Sequence, residues 1–185
     1  MQQDRRQFLK SGGILLSVAI GGSVLRLTPA AARQAEVPYQ VLSALEVDTL
    51  EGLAEAIVPG ARDAGIAQFI DKQLAADFSD SLLMLKYLGV PEEGYLPFYQ
   101  GGLASAAALS QAHYQKPWSQ LSASEASSLT ADIAAGTPAD WSGPPAGFFF
   151  FVIRSDGVDV VYGTEEGFAK IGVPYMPHIA PEQPW

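Results

Sequence analysis

Ser43-Ala44-Leu45-Glu46-Val47-Asp48-Thr49-Leu50-Glu51-Gly52-Leu53-Ala54-Glu55-Ala56-Ile57-Val58-Pro59-Gly60 reads as one helix with both of its ends. Ser43 stands where a side chain caps free backbone amides, and Glu46, three residues on, can reach back to the capping residue. Leu45, Leu50, Leu53, Ala54 and Ile57 recur at helical spacing, and Pro59-Gly60 stops the element.

The same period extends outward from this stretch. Asp63 begins a second amphipathic pattern through Ile66, Phe69, Ile70, Leu74 and Phe78, and a third, shorter one runs from about Ser81 to Leu88, ending at Gly89-Val90-Pro91. Residues 91–102 carry turn residues with Tyr95, Phe98 and Tyr99, a loop flowing into an alanine-rich helix over 103–114. Ser122 and Glu125 repeat the capping pattern and open a helix through Leu129 and Ile133, ended by Gly136 and Pro138. Residues 138–147, with Trp141, are a loop.

Phe148 to Ile153 is a solid apolar run whose period does not separate a buried strand from a buried helix; in an otherwise helical chain a short buried helix is favoured. Residues 33–42 read as an extended lead, and from Ser155 onward the pattern is irregular. Pro174, Pro177, Pro181 and Pro184 each remove a backbone donor and fix φ, which predicts an extended tail. The expectation is a mainly α chain: a single small helical domain with an irregular, proline-rich C-terminal tail.

The N-terminus is a different kind of segment. Asp4-Arg5-Arg6-Gln7-Phe8-Leu9-Lys10 resembles a twin-arginine export signal, carried by Arg5, Arg6, Phe8, Leu9 and Lys10. A mildly apolar stretch, Ser11 to Leu25, follows, and Pro29-Ala30-Ala31-Ala32 supplies the small residues that signal peptidase cuts. The stretch is shorter than the roughly 20 apolar residues that span a bilayer, which favours a signal over a permanent anchor. The expected division is a signal at 1–32 and a helical domain at 33–185, exported to the periplasm, with membrane association left open. That export route carries chains already folded, usually around a cofactor.

Composition narrows the functions. The net charge is −9, and a signal ending at Ala32 takes four of 11 basic residues and one of 20 acids, leaving 7 against 19, or −12. Such a surface repels phosphate backbones, so no nucleic-acid partner is expected. The absence of cysteine excludes thiolate-held clusters, covalent c-type haem and thiol chemistry.

No catalytic constellation stands out. His113 and His178 are the only histidines and have no metal-ligand spacing; no Gly-x-Ser-x-Gly elbow is present; Gly101-Gly102 and Gly143 to Gly147 lack a phosphate-cradling strand–helix context. Glu92-Glu93 and Glu165-Glu166 are adjacent pairs whose side chains diverge, as solvated carboxylates do. No catalytic, cofactor-binding or metal residue is assigned. The aromatic and proline residues of the C-terminal third instead need covering, by the domain's own body or by a partner. The candidate interface is Phe148, Phe149, Tyr162, Gly163, Phe168, Pro174, Tyr175, Met176, Pro177, His178 and Trp185, residue types that anchor protein interfaces.

Ile57-Val58-Pro59-Gly60, Ala64-Gly65, Phe69-Ile70-Asp71, Lys116-Pro117-Trp118 with Leu121-Ser122, the aromatic run before Arg154, Val161-Tyr162-Gly163 and Ile171-Gly172-Val173-Pro174 occur in an order that resembles the gluconate 2-dehydrogenase subunit 3 family. Thr164 to Lys170 departs from the Gly, Asn and Trp that many relatives carry there, as in a divergent branch. The resemblance implies a non-catalytic small subunit that binds no cofactor itself. Its partner would be a large GMC-type flavoprotein holding FAD and oxidising a sugar, polyol or sugar acid. A cytochrome c subunit is a candidate electron acceptor. The small subunit would stabilise the large one and bring the pair to the twin-arginine translocase. The competing readings are a free-standing exported small-ligand-binding protein and an independent exported enzyme.

Overall fold

In the computed structural model of the protein, residues 14–20 and 23–174 are described. In chain order they form an antiparallel ribbon of β1 (Leu16–Ile20) and β2 (Ser23–Leu27), then α1 (Pro29–Gln34), α2 (Ala44–Ile57), α3 (Ile66–Leu74), α4 (Met84–Tyr87), α5 (Tyr95–Tyr114), α6 (Ala123–Ala135), α7 (Ala146–Tyr162) and α8 (Glu165–Lys170). The chain is a single small domain, mainly α.

Helix α2 is the element that the rest surrounds. Its capping box forms as the sequence predicts: Ser43 Oγ accepts from the Glu46 amide, and the Ser43 amide donates to Glu46 Oε2 at 2.7 Å. Leu50, Leu53 and Ala54 are fully buried, and α2 packs against α3, α5, α6 and α7. Ser122 and Glu125 make the same reciprocal cap at α6, where Lys116 Nζ also meets Glu125 Oε1 at 2.8 Å. Trp118 lies in the core with its indole N–H donated to the Ala106 carbonyl at 2.9 Å. Its Cβ sits so close to Gly52 that a Cβ at position 52 would come within 2.6 Å.

Helix α5 begins at Tyr95, well before the alanine-rich stretch, so the loop expected over 91–102 is confined to its first residues. Pro97 falls in the first turn, where a backbone N–H has no intrahelical acceptor in any case. Gly102 lets α5 and α7 meet: a Cβ there would overlap the Phe149 ring. Gly102→Ala is therefore expected to cost about 1–3 kcal/mol through forced separation of these helices, read from the urea midpoint of the helical circular dichroism signal.

The apolar run at Phe148 is a helix, but a longer one than expected. The irregular reading of 155 onward is corrected as far as residue 170. Ser155 Oγ donates to the Phe151 carbonyl at 2.9 Å, Asp156 is buried with partners, and Gly157 fits against Val58. Three residues that resemble loop punctuation thus each have a helical reason. Thr164 then caps α8, its Oγ1 accepting from the Gly167 amide at 3.0 Å. The tail from Tyr175 lies outside the described residues.

The lead at 33–42 also differs from expectation, because α1 continues to Gln34. The ribbon has no counterpart in the sequence reading. Leu16 and Val18 are 2 % exposed, whereas Val24 and Leu25 are exposed at 73 % and 44 %. No helix among the described residues is long and apolar enough to cross a membrane.

Candidate functional site

Among the described residues, two carboxylates lie fully inside the protein. Asp71, on α3, accepts the backbone amides of Gln40, Val41 and Leu42 at 2.8–3.0 Å. The segment leading into α2 is thereby tied to α3, and the arrangement is a structural anchor, its acceptor lone pairs taken up by backbone. Asp156, on α7, accepts the Met84 amide at 2.9 Å and the Tyr99 hydroxyl at 2.5 Å. Burial pushes its carboxyl up to about 7, against the smaller opposing effects of those two hydrogen bonds. Burial, together with Asp156, also raises the Tyr99 hydroxyl well above its ordinary value. Neither carboxylate is open to a substrate.

A surface cavity of about 350 Å³ lies between α1, α2, α3 and the lead, within the size range of small-ligand pockets. Arg33 pairs with Glu51 across it, Nε to Oε1 at 3.2 Å, and this hydrogen bond raises the guanidinium pKa further. Arg62 adds a longer contact to Glu51 at 3.8 Å. Gln68 Nε2 donates to the Tyr39 hydroxyl at 2.8 Å, and burial pushes that hydroxyl up to about 12. Arg33 and Glu51 offset each other, Glu36 adds an exposed carboxylate to the lining, and the hydroxyl stays protonated. The cavity offers no group poised as a base or nucleophile.

His113 is exposed at the end of α5, its ring 6.2 Å from Tyr114, and His178 lies outside the described residues. Glu92 and Glu93 are exposed on a short 3-10 turn, as is Glu166 on α8. Among the described residues no group of three His, Cys, Asp or Glu side chains could hold a metal ion.

The interface residues inferred from sequence fall into three groups. Phe149 is 0 % exposed and belongs to the core, so a partner cannot reach it; Phe148 is half-buried, its ring 5.4 Å from that of Phe98. Tyr162 and Phe168 are half-buried, while Gly163 and Pro174 are exposed. Tyr175, Met176, Pro177, His178 and Trp185 lie outside the described residues, as do Arg5, Arg6, Phe8, Leu9 and Lys10. Ile171 and Val173, in the stretch of the tail that ends at Pro174, are exposed, and the structure adds Val158, which sequence reasoning missed; the three are 40–54 % exposed. A second group is Phe78, Leu82, Tyr87, Leu88 and Leu96, with Tyr87 at 68 %. Helical spacing held a clue: with Leu85 turned inward, Tyr87 and Leu88 stand at the exposed end of α4.

No curated protein and no solved structure matches this chain. A family described as gluconate 2-dehydrogenase subunit 3 matches residues 44–180, a span from the first residue of α2 past α8. A match over most of the chain shows the kinship: the protein belongs to the gluconate 2-dehydrogenase subunit 3 family.

Proposed function

We propose that this chain is the non-catalytic small subunit of an exported FAD-dependent dehydrogenase, supplying the export signal and stabilising the large flavoprotein. The coarser part, an accessory subunit in a complex with a larger dehydrogenase subunit, follows from family membership over 44–180, the observation that carries the reading. The finer part rests on sequence. Arg5 and Arg6 head a twin-arginine signal for a route that carries folded cargo. The large subunit would be of the GMC type and hold the FAD that justifies such a route. A cytochrome c subunit would take its electrons, and the complex would act in the periplasm on a sugar, polyol or sugar acid.

The test is co-expression with the large subunit, with Arg5 and Arg6 both replaced by Lys. Flavoprotein activity is expected to stay in the cytoplasm; activity exported undiminished would end the escort role. Recovery of a monomeric chain that never co-purifies with a large subunit would instead favour the free-standing binding protein. The exposed group at Val158, Ile171 and Val173 is the expected docking edge. Ile171→Asp with Val173→Asp would place two charges on the apolar contact and weaken co-purification at least about tenfold, with the helical signal unchanged. Undiminished co-purification would move the contact elsewhere, Tyr87 and Leu88 being the next face to test.

A further inference from the structure

We propose that residues 14–20 and 23–34 form a strap docked on the folded body, which closes the Ala32–Arg33 bond to processing peptidases until the strap lifts. The processing site rests on the export-signal reading; the docking does not. Four observations converge on this segment. Ala32, the residue before the bond, is 0 % exposed, inside a helix rather than an extended loop. Both backbone groups of Ala32 are tied down: its amide donates to the Thr28 carbonyl at 2.9 Å, and its carbonyl accepts from the Val37 amide at 3.0 Å. Arg33 is held by Glu51 through two contacts, at 3.2 and 3.4 Å. On the far side the Pro29 backbone packs on Gly65, where no Cβ would fit.

The ribbon completes the closure. β1 and β2 lie against α1, and Leu16 and Val18 join Ala32 in the core cluster. Peptidases bind their substrates as extended strands. Cutting after Ala32 thus requires the turn of helix at 29–34 to unwind, Ala32 to leave its seat, and the Arg33–Glu51 pair to break. The cut rate is set by how often that local opening occurs. A signal removed from this chain is removed before the strap docks or while something holds the strap away; a chain that docks first keeps it.

The experiment uses the purified full-length chain and pancreatic elastase, which cuts after small residues, with cut sites between 28 and 34 read by mass spectrometry. A synthetic peptide of residues 24–40 is the open reference. The native chain is expected to be cut there at least about 100-fold more slowly than the peptide. Gly65→Ala drives a methyl group into the Pro29 backbone, and Val18→Asp buries a charge under the ribbon from a position outside the body helices. Each is expected to speed cutting at least about tenfold with the body still helical. Val18→Asp keeps the test decisive should Gly65→Ala fail to fold, because Gly65 also holds a φ of +83°. A native chain cut as fast as the peptide overturns the proposal, as does a Val18→Asp chain cut no faster than the native one. Failure of the export reading would show separately, as unchanged fractionation of the double Arg-to-Lys variant, while the proteolysis needs no export machinery.

Discussion

Asp71→Ala is expected to be among the most damaging single substitutions in the helical body, lowering stability by about 3–4 kcal/mol. Asp71 is 0 % exposed, and its carboxylate gathers three consecutive amides, from Gln40, Val41 and Leu42. Hydrogen bonds to a charged acceptor contribute about 1.5–3 kcal/mol each before losses shared among them. Removing the acceptor leaves the Leu42 amide buried with nothing to replace it, while Gln40 is exposed and water can compensate there. Asp71→Asn returns one acceptor oxygen and is expected to cost roughly half as much. The damage should spread in one direction, because Leu42 leads straight into the Ser43 cap of α2. Amide exchange over 40–46 is expected to accelerate more than exchange at α6. Thermal melts of both variants check the size, and a shift smaller than about 2 °C for Asp71→Ala, equivalent to under 1 kcal/mol in a chain of this length, would show the anchor to be redundant.

Asp71 also shows where the sequence was legible and where it was not. The two capping boxes are local patterns, three residues wide, and both form as read. The apolar period of 44–57 survives because burial follows one stripe of the helix. Partnerships across 29 or more residues leave no such trace. Nothing local says that Asp71 would meet residues 40–42, or that Asp156 would meet Met84 and Tyr99. Ser155-Asp156-Gly157 therefore reads as a break, when tertiary partners make it the middle of α7. The aromatic run misled in a related way. Composition marks Phe148 and Phe149 as interface residues, but helical rotation turns Phe149, Val152, Ile153, Asp156 and Val160 inward and Arg154 outward. The ribbon of β1 and β2 was hidden because its apolar residues stand on both faces, Val24 exposed on one and Leu25, opposite Val18, on the other, so no polar–apolar alternation marks it. Family kinship was readable because it rests on the order of short marks, several of which have structural reasons here: Gly65 on Pro29, Asp71 on the lead, Trp118 on Gly52.

The stability advantage of the Asp156→Asn chain over the wild type is expected to grow from pH 5 to pH 8. Burial pushes the Asp156 carboxyl up to about 7, from a value near 3.8 in the unfolded chain. Between those two values the folded protein holds a proton that the unfolded chain has released. The stabilisation is complete below about pH 3.8, falls as pH rises towards about 7, and does not return above it. At a slope of at most 1.36 kcal/mol per pH unit, acting up to about pH 7, the wild type loses about 3 kcal/mol between pH 5 and pH 8. An asparagine mimics the protonated acid: its carbonyl oxygen can take the Met84 amide and its NH2 can face the Tyr99 oxygen. Tyr99 stays protonated throughout, its hydroxyl being raised well above 10. Asp159, also raised by burial, remains in both chains and cancels in the comparison. Glu125, held down to about 2 chiefly by the hydrogen bond from Lys116, titrates below this window. Urea midpoints of the two chains across pH 5–8 give the result directly, and parallel curves would mean that Asp156 is not the titrating group. Ionisation has a local address too: Met84 opens α4, which carries the exposed Tyr87 and precedes Leu88. Ionised Asp156 destabilises the folded chain, so openings that expose the Met84 amide become more frequent as pH rises. Exchange of the Met84 amide should therefore rise with pH in the wild type beyond its ordinary base-catalysed increase, and the Asn chain should show that ordinary increase alone.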